Sequence, residues 1–175
     1  MLLASTVDYY GLNQTVTATT YGNINLSNSG AGAVTKTMPG TAFTVEGNFT
    51  STVGSGTSVT YTAASALTIN GILNIGAGTT FSAASYSHKF GGNWINNGTF
   101  TGSTSTVTMT DDGTAISGTG TFNINNLTID GAGNTCASTT NLTISGNLLV
   151  TTNGEFTHLD GGTITMTGTA KTISG

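Results

Sequence analysis

Seven carboxylates, two histidines and one cysteine are the side chains here whose types suit acid–base, nucleophilic or metal chemistry: Asp8, Glu46, Asp111, Asp112, Asp130, Glu155, Asp160, His88, His158 and Cys136. Cleaving a glycosidic bond takes two carboxyls held about 5 to 10 Å apart across it. Asp111 and Asp112 are adjacent, so in an extended backbone they point to opposite sides. Followed by Gly113 they fit a turn, as do Asp130-Gly131 and Asp160-Gly161. Calcium needs several oxygens converging on one ion, and the aspartates follow neither the Gly-Gly-x-Gly-x-Asp repeat nor an EF-hand spacing, which leaves Asp111 and Asp112 as a weak candidate only. Neither His88 nor His158 has a second His, Cys or carboxylate at metal-ligand spacing; His158 and Asp160, two apart, read as exposed polar decoration. Cys136 has no partner for an internal disulfide and reads as a small core residue. The glycines form neither a phosphate loop nor a dinucleotide fingerprint. No catalytic, cofactor or metal residue is assigned, and an enzyme is not expected.

Charge narrows the field further. Charged residues are 6% of the 175, the net charge is -4, and the only side-chain cations apart from histidine are Lys36, Lys89 and Lys171, with no arginine. Nucleic-acid affinity rests on Lys and Arg neutralising phosphates, so that class is set aside, as is anchoring to anionic lipid. No apolar run reaches the length of a membrane span. Met1-Leu2-Leu3-Ala4-Ser5 is too short for a signal peptide and has no basic start. Polarity comes from Gly, Asn and the hydroxyl residues, with Ser and Thr about a third of the chain, while 36% is apolar, enough for a core.

These residues must be carried by short strands. Runs such as Thr106-Val107-Thr108-Met109-Thr110 and Thr163-Ile164-Thr165-Met166-Thr167 alternate apolar and polar, the pattern of a strand with one buried face. No stretch has helical period. Gly76, Gly78, Gly98, Gly118 and Gly131 fall between strands, where corners call for positive φ, and Pro39-Gly40 marks another corner. The phrase apolar-x-Gly-x-bulky returns at Val45-Phe49, Ile69-Leu73, Phe90-Trp94 and Ile144-Leu148, its first three glycines about 20 to 25 residues apart. Asn-Leu-Thr-Ile occurs at Asn126 and again at Asn141. A sandwich pairs strands of unlike sequence, whereas stacked coils return the same phrase once per coil. The expectation is an all-β parallel β-solenoid without helix, one domain over 1–175, of about seven or eight coils of 20–25 residues. Recurring Asn and Thr are expected to bond to the coils above and below, and several of the six Asn-x-Ser/Thr sequons (Asn13, Asn25, Asn48, Asn97, Asn126 and Asn141), such as Asn126 and Asn141, suit ladder or corner positions.

A longer repeat lays 7–49 over 107–148, pairing Tyr21 with Phe122, Leu26 with Leu127 and Gly47-Asn48 with Gly146-Asn147; 163–175 likewise resembles 106–118. The end strands then read as equivalents of the first, with no polar capping coil, so open ends are expected to stack head-to-tail on a second copy or on neighbouring coils of a longer chain.

Together with Gly92-Asn93-Trp94-Ile95-Asn96-Asn97-Gly98-Thr99-Phe100, Gln14-Thr15-Val16 and Thr172-Ile173-Ser174-Gly175, these phrases resemble the Thr-, Asn- and Gly-rich repeat regions of large secreted bacterial surface, adhesin-like or fibre proteins, over nearly the whole chain. The resemblance implies a parallel β-solenoid at the cell surface or outside the cell, with a structural or adhesive role. The first functional expectation is therefore a subunit or segment of a filament, fibre or adhesin stalk. The alternatives are a carbohydrate-binding module using Tyr9, Tyr10 or Trp94, with Trp94 read as core at the position of Phe49 and Leu148, and an ice-binding module. The ice reading is ranked low because Thr-x-Thr strands recur only occasionally along the sequence. A polysaccharide-cleaving β-helix comes last.

Overall fold

A computed structural model describes residues 5–137 and 139–175. Met1, Leu2, Leu3 and Ala4, the start read for a signal peptide, and the side chain of Cys136 lie outside the described residues. The chain forms three sheets of eight, eight and seven strands, all parallel, which it visits in turn as faces I, II and III of a solenoid of about eight coils. Face I starts with Thr6–Tyr10 and ends with Phe156–His158; face II runs from Gln14–Thr15 to Ile164–Met166, and face III from Phe43–Val45 to Ile173–Ser174. Tyr21 holds the face III position of the first coil through a single bridge to Val45. Among the described residues there is no helix, and hence none long and apolar enough to cross a membrane.

The alternation read from the sequence sets the register. On face I, Ile24, Phe49, Leu73, Trp94 and Ile116 stack inward one above another. Face II stacks Lys36, Tyr61, Phe81, Phe100, Phe122 and Leu142, and face III stacks Phe43, Leu67, His88, Val107, Leu127 and Leu148. Almost all of these are fully buried, so the core is a continuous column down the axis. Rings dominate its middle: Tyr61 and Phe81 stack at 4.9 Å, and Trp94 meets Phe90, Phe100 and Phe122 edge-on at 5.4, 4.6 and 5.2 Å.

Coils are also stapled at their corners. An Asn Oδ1 accepts the backbone N–H of the next coil repeatedly: Asn23 from Asn48 (2.8 Å), Asn48 from Ile72 (2.9 Å), Asn126 from Asn147 (2.9 Å) and Asn141 from Thr163 (2.9 Å). Asn13 and Asn97 do the same to Thr35 and Thr119, so five of the six sequon asparagines tie one coil to the next. Glycines are needed here for a reason other than the one expected. Gly78 and Gly118 do have positive φ, but Gly76, Gly98 and Gly131 do not. At those three a Cβ would lie 2.5 Å or less from a carbonyl oxygen of the adjacent coil, so contact between coils excludes a side chain.

Two readings from the sequence change. The longer repeat is out of phase with the coil. Its 7–49 copy begins on face I and its 107–148 copy on face III, so Leu26 and its match Leu127 lie on different faces. The same shift takes Leu148 off the column of Trp94 and Phe49 and onto face III. The first coils, moreover, do carry a polar plug. Lys36, fully buried, donates from Nζ to the carbonyls of Gly11 (3.0 Å) and Leu12 (2.9 Å) and to Gln14 Oε1 (2.8 Å), using all three protons. Beside it Tyr9 and Tyr21 share a hydroxyl contact of 2.7 Å, and Tyr21 donates to Thr17 O.

Candidate functional site

The groups that could do chemistry are spread along the rod. Asp111 and Asp112 sit in a turn with Gly113 in the left-handed region, and Asp112 Oδ1 accepts the Ala132 N–H (2.7 Å) from the next coil. Asp130 accepts from Thr151 Oγ1 (2.6 Å), Glu46 from Asn70 Nδ2 (2.7 Å) and Asp8 from Ser27 Oγ (2.7 Å), each contact joining neighbouring coils. Among the described residues no three of His, Cys, Asp and Glu gather as metal ligands. Two surface depressions, of about 420 and 280 Å³, lie on faces I and III and are lined by Thr, Asn, Ser, Ile and Leu.

His88 lies inside the core, fully buried on face III. Its Nδ1 accepts the Leu67 N–H (3.2 Å) and its Nε2–H donates to Ala83 O (2.9 Å), which fixes the neutral tautomer with both nitrogens occupied. Burial pulls its pKa below the ordinary histidine value, opposed by the bond to Ala83. Burial likewise pulls Lys36 down, with Asp8 acting the other way. His158 is half-buried at the inward position of the last face I strand, which corrects its reading as exposed decoration; Asp160 is exposed. The sequence reading weighed His88 only as a metal ligand and Lys36 only as one of few cations, and placed neither in the core. Their signal was phase: each occupies the inward beat of an alternating strand, Val34-Lys36 and His88-Phe90, whose other inward residue is buried.

Of the aromatic residues considered for sugar binding, Trp94 is core, Tyr9 is half-buried and bonded to Tyr21, and Tyr10 alone is well exposed.

The outward side of face II has an order absent from the other two. One column runs Thr35, Thr60, Thr80, Thr99, Thr121, each paired with the next. A second, two residues further along each strand, runs Thr15, Thr37, Thr62, Ser82, Thr101, Asn123, Thr143, Thr165. Thr-x-Thr or Thr-x-Ser therefore stacks on four consecutive coils of about eight, an alignment that the spacing in the sequence does not show. These side chains are exposed or half-exposed, and their hydroxyls make no hydrogen bond to the described residues. No charged side chain points outward from the strands of face II. On face I the corresponding column reads Asp8, Asn25, Thr50, Asn74, Ile95, and on face III Thr44, Thr68, Lys89, Thr108, Thr128, Leu149.

Fold and surface together define a three-sided parallel β-solenoid with one hydroxyl-rich face. No protein-family model matches the chain, and no curated protein or solved structure matches it either.

Proposed function

We propose that the chain is a stiff structural segment of an extracellular filament, fibre or adhesin stalk, stacked on a further solenoid coil through its Phe156–Ser174 end. The observation that carries this reading is the state of that end. Phe156, Ile164 and Met166 hold inward-facing positions yet are only half-buried, Ile173 is 65% exposed, and three parallel strands there have a free ladder edge. Uncovered apolar side chains beside unpaired backbone groups favour another coil in the same register.

A second copy placed head-to-tail would pair with these three free edges. A following coil of the same polypeptide would dock in the same way. A head-to-tail contact is heterologous and does not close, so copies of the chain would add into a filament. Location outside the cell rests on the resemblance to secreted bacterial surface proteins and on the small number of charged groups open to proteases.

The test is negative-stain electron microscopy and sedimentation of the purified chain beside Met166→Asp, which places a charge on the uncovered end. Unbranched fibres from the natural sequence, lost in the variant, are expected. A chain that stays monomeric at high concentration refutes self-stacking.

A further inference from the structure

The geometry points to a second role for this rod: the outward side of face II is an ice-binding surface, its ligand the oxygen lattice of crystalline water. Paired parallel strands place equivalent side chains about 4.8 Å apart along the axis, and residues i and i+2 of one strand about 6.6 Å apart across it. Thr35/Thr37, Thr60/Thr62 and Thr99/Thr101 thus belong to a rectangular net of hydroxyl and methyl groups spanning several coils. Hexagonal ice presents rows of oxygens at comparable repeats. A net matched to them holds surface water in nearly the positions it takes in the crystal.

Three further properties of the face fit this ligand. Its hydroxyls have no partner among the described residues, so each can join a water network. Thr is β-branched and stiff at χ1, and the strands beneath are pinned by the buried rings of Tyr61, Phe81 and Phe100, so little ordering is left for adsorption to impose. No charge interrupts the face, whereas a charge would organise its own hydration shell against the lattice.

The same properties disfavour the other occupants. Sugar rings are held by exposed aromatic platforms and directional polar groups in a groove, and the strands of face II carry no outward aromatic. Lateral docking of a second copy would set one array of unpaired hydroxyls against another with little apolar surface to cover. Ice adsorption depends on one side of the rod and not on its ends, so it stands or falls separately from stacking.

The test uses the purified full chain in an ice-affinity assay, in which a slowly growing ice front either takes up or excludes protein. The gap between melting and freezing temperatures of a single ice crystal is measured alongside. Thr101→Tyr and Thr80→Tyr project a ring from the middle of the net; Thr128→Tyr does the same on face III. Far-UV circular dichroism and a melting curve identify the variants that keep the fold. We expect the natural sequence and Thr128→Tyr to enter the ice and open a measurable gap, and the two face II variants to lose most of both effects. Exclusion of the folded natural chain from ice overturns the proposal. So does equal loss in Thr128→Tyr. Binding to crystalline cellulose, or self-association in sedimentation, that depends on Thr101 without uptake into ice overturns it in favour of a glycan or a second copy.

Discussion

Trp94 is the side chain on which the packing of the solenoid is most directly measurable. It is fully buried in the fifth coil and meets Phe90, Phe100 and Phe122 edge-on, while its indole Nε1 has no hydrogen-bond partner among the described residues. Truncating a buried Trp to Ala costs about 3–5 kcal/mol, and each lost aromatic pair adds up to about 1 kcal/mol. With three such pairs lost, Trp94→Ala is therefore expected to cost more than about 4 kcal/mol. Trp94→Phe gives up part of the packing but also deletes an unpaired buried donor, a group whose burial costs about 1–3 kcal/mol. Its net loss is expected below about 2 kcal/mol. Because each coil leans on its neighbours, a defect this central is expected to move the whole unfolding transition rather than fray one end. Urea unfolding followed by far-UV circular dichroism reads both variants, since fluorescence disappears with the only tryptophan. In the natural chain that fluorescence should be blue-shifted and shielded from iodide. A Phe variant as damaged as the Ala variant would mean that the indole N–H, and not ring packing, holds the core. An Ala variant within 1 kcal/mol of the natural chain would refute the placement of Trp94.

Three further perturbations probe the features found along the axis. His88 is held neutral in the folded state with its pKa lowered by burial, so the unfolded chain takes up a proton first; stability is fully present above pH about 6.5 and falls as pH drops below it. His88→Leu should flatten that slope between pH 7.5 and 5 in denaturation midpoints, and equal slopes would refute the linkage. Lys36→Met leaves the carbonyls of Gly11 and Leu12 and the Gln14 amide without their donor, so the amide of Val16 should lose hydrogen-exchange protection while that of Phe81 keeps it. Unchanged exchange at Val16 would show that the plug does not hold the first coil. Gly71→Ala drives a Cβ to 2.5 Å from the backbone of Gly47 and is expected to cost about 1–3 kcal/mol, whereas Gly40→Ala, with nothing within 4 Å, should be near neutral in melting temperature. Equal melting temperatures for the two would remove the steric account of the corner glycines.

Much of this architecture was legible because a solenoid writes its fold locally. Phe49, Leu73 and Trp94 end successive copies of one phrase, and they stack as that phrase implies. Asn126 and Asn141 were readable as staples because a corner Asn beside a buried Leu has the next coil's amide within reach. What failed was long-range phase. Coil length varies with corner length: the turn from face III to face I takes three residues between Val45 and Phe49 but five between Met109 and Ala115. Counting residues therefore does not keep track of which face a strand occupies. The Thr net was invisible for that reason, since Thr35, Thr60, Thr80 and Thr99 are unevenly spaced in sequence and align only once the corners have absorbed the differences.

The phase error also says something about the net itself. Under the longer repeat, Ala33–Thr37 of face II is laid over Asn134–Cys136 of face I, and Asn23–Ser27 of face I over Asn126–Ile129 of face III. A surface pattern copied by duplicating some hundred residues would therefore move to another face halfway along the rod. The hydroxyl column does not move: Thr37, Thr62 and Ser82 continue on the same face as Thr101, Thr143 and Thr165, with Asn123 the one amide between them. Face II thus stays rich in hydroxyls across a sequence repeat that breaks its phase, while faces I and III are mixed under the same repeat. Solubility asks only for polar outward positions, which the Asn, Asp and Lys of those two faces supply equally well. A requirement for Thr at fixed spacing on one side, independent of the repeat that built the chain, is what a flat and regular ligand surface would impose.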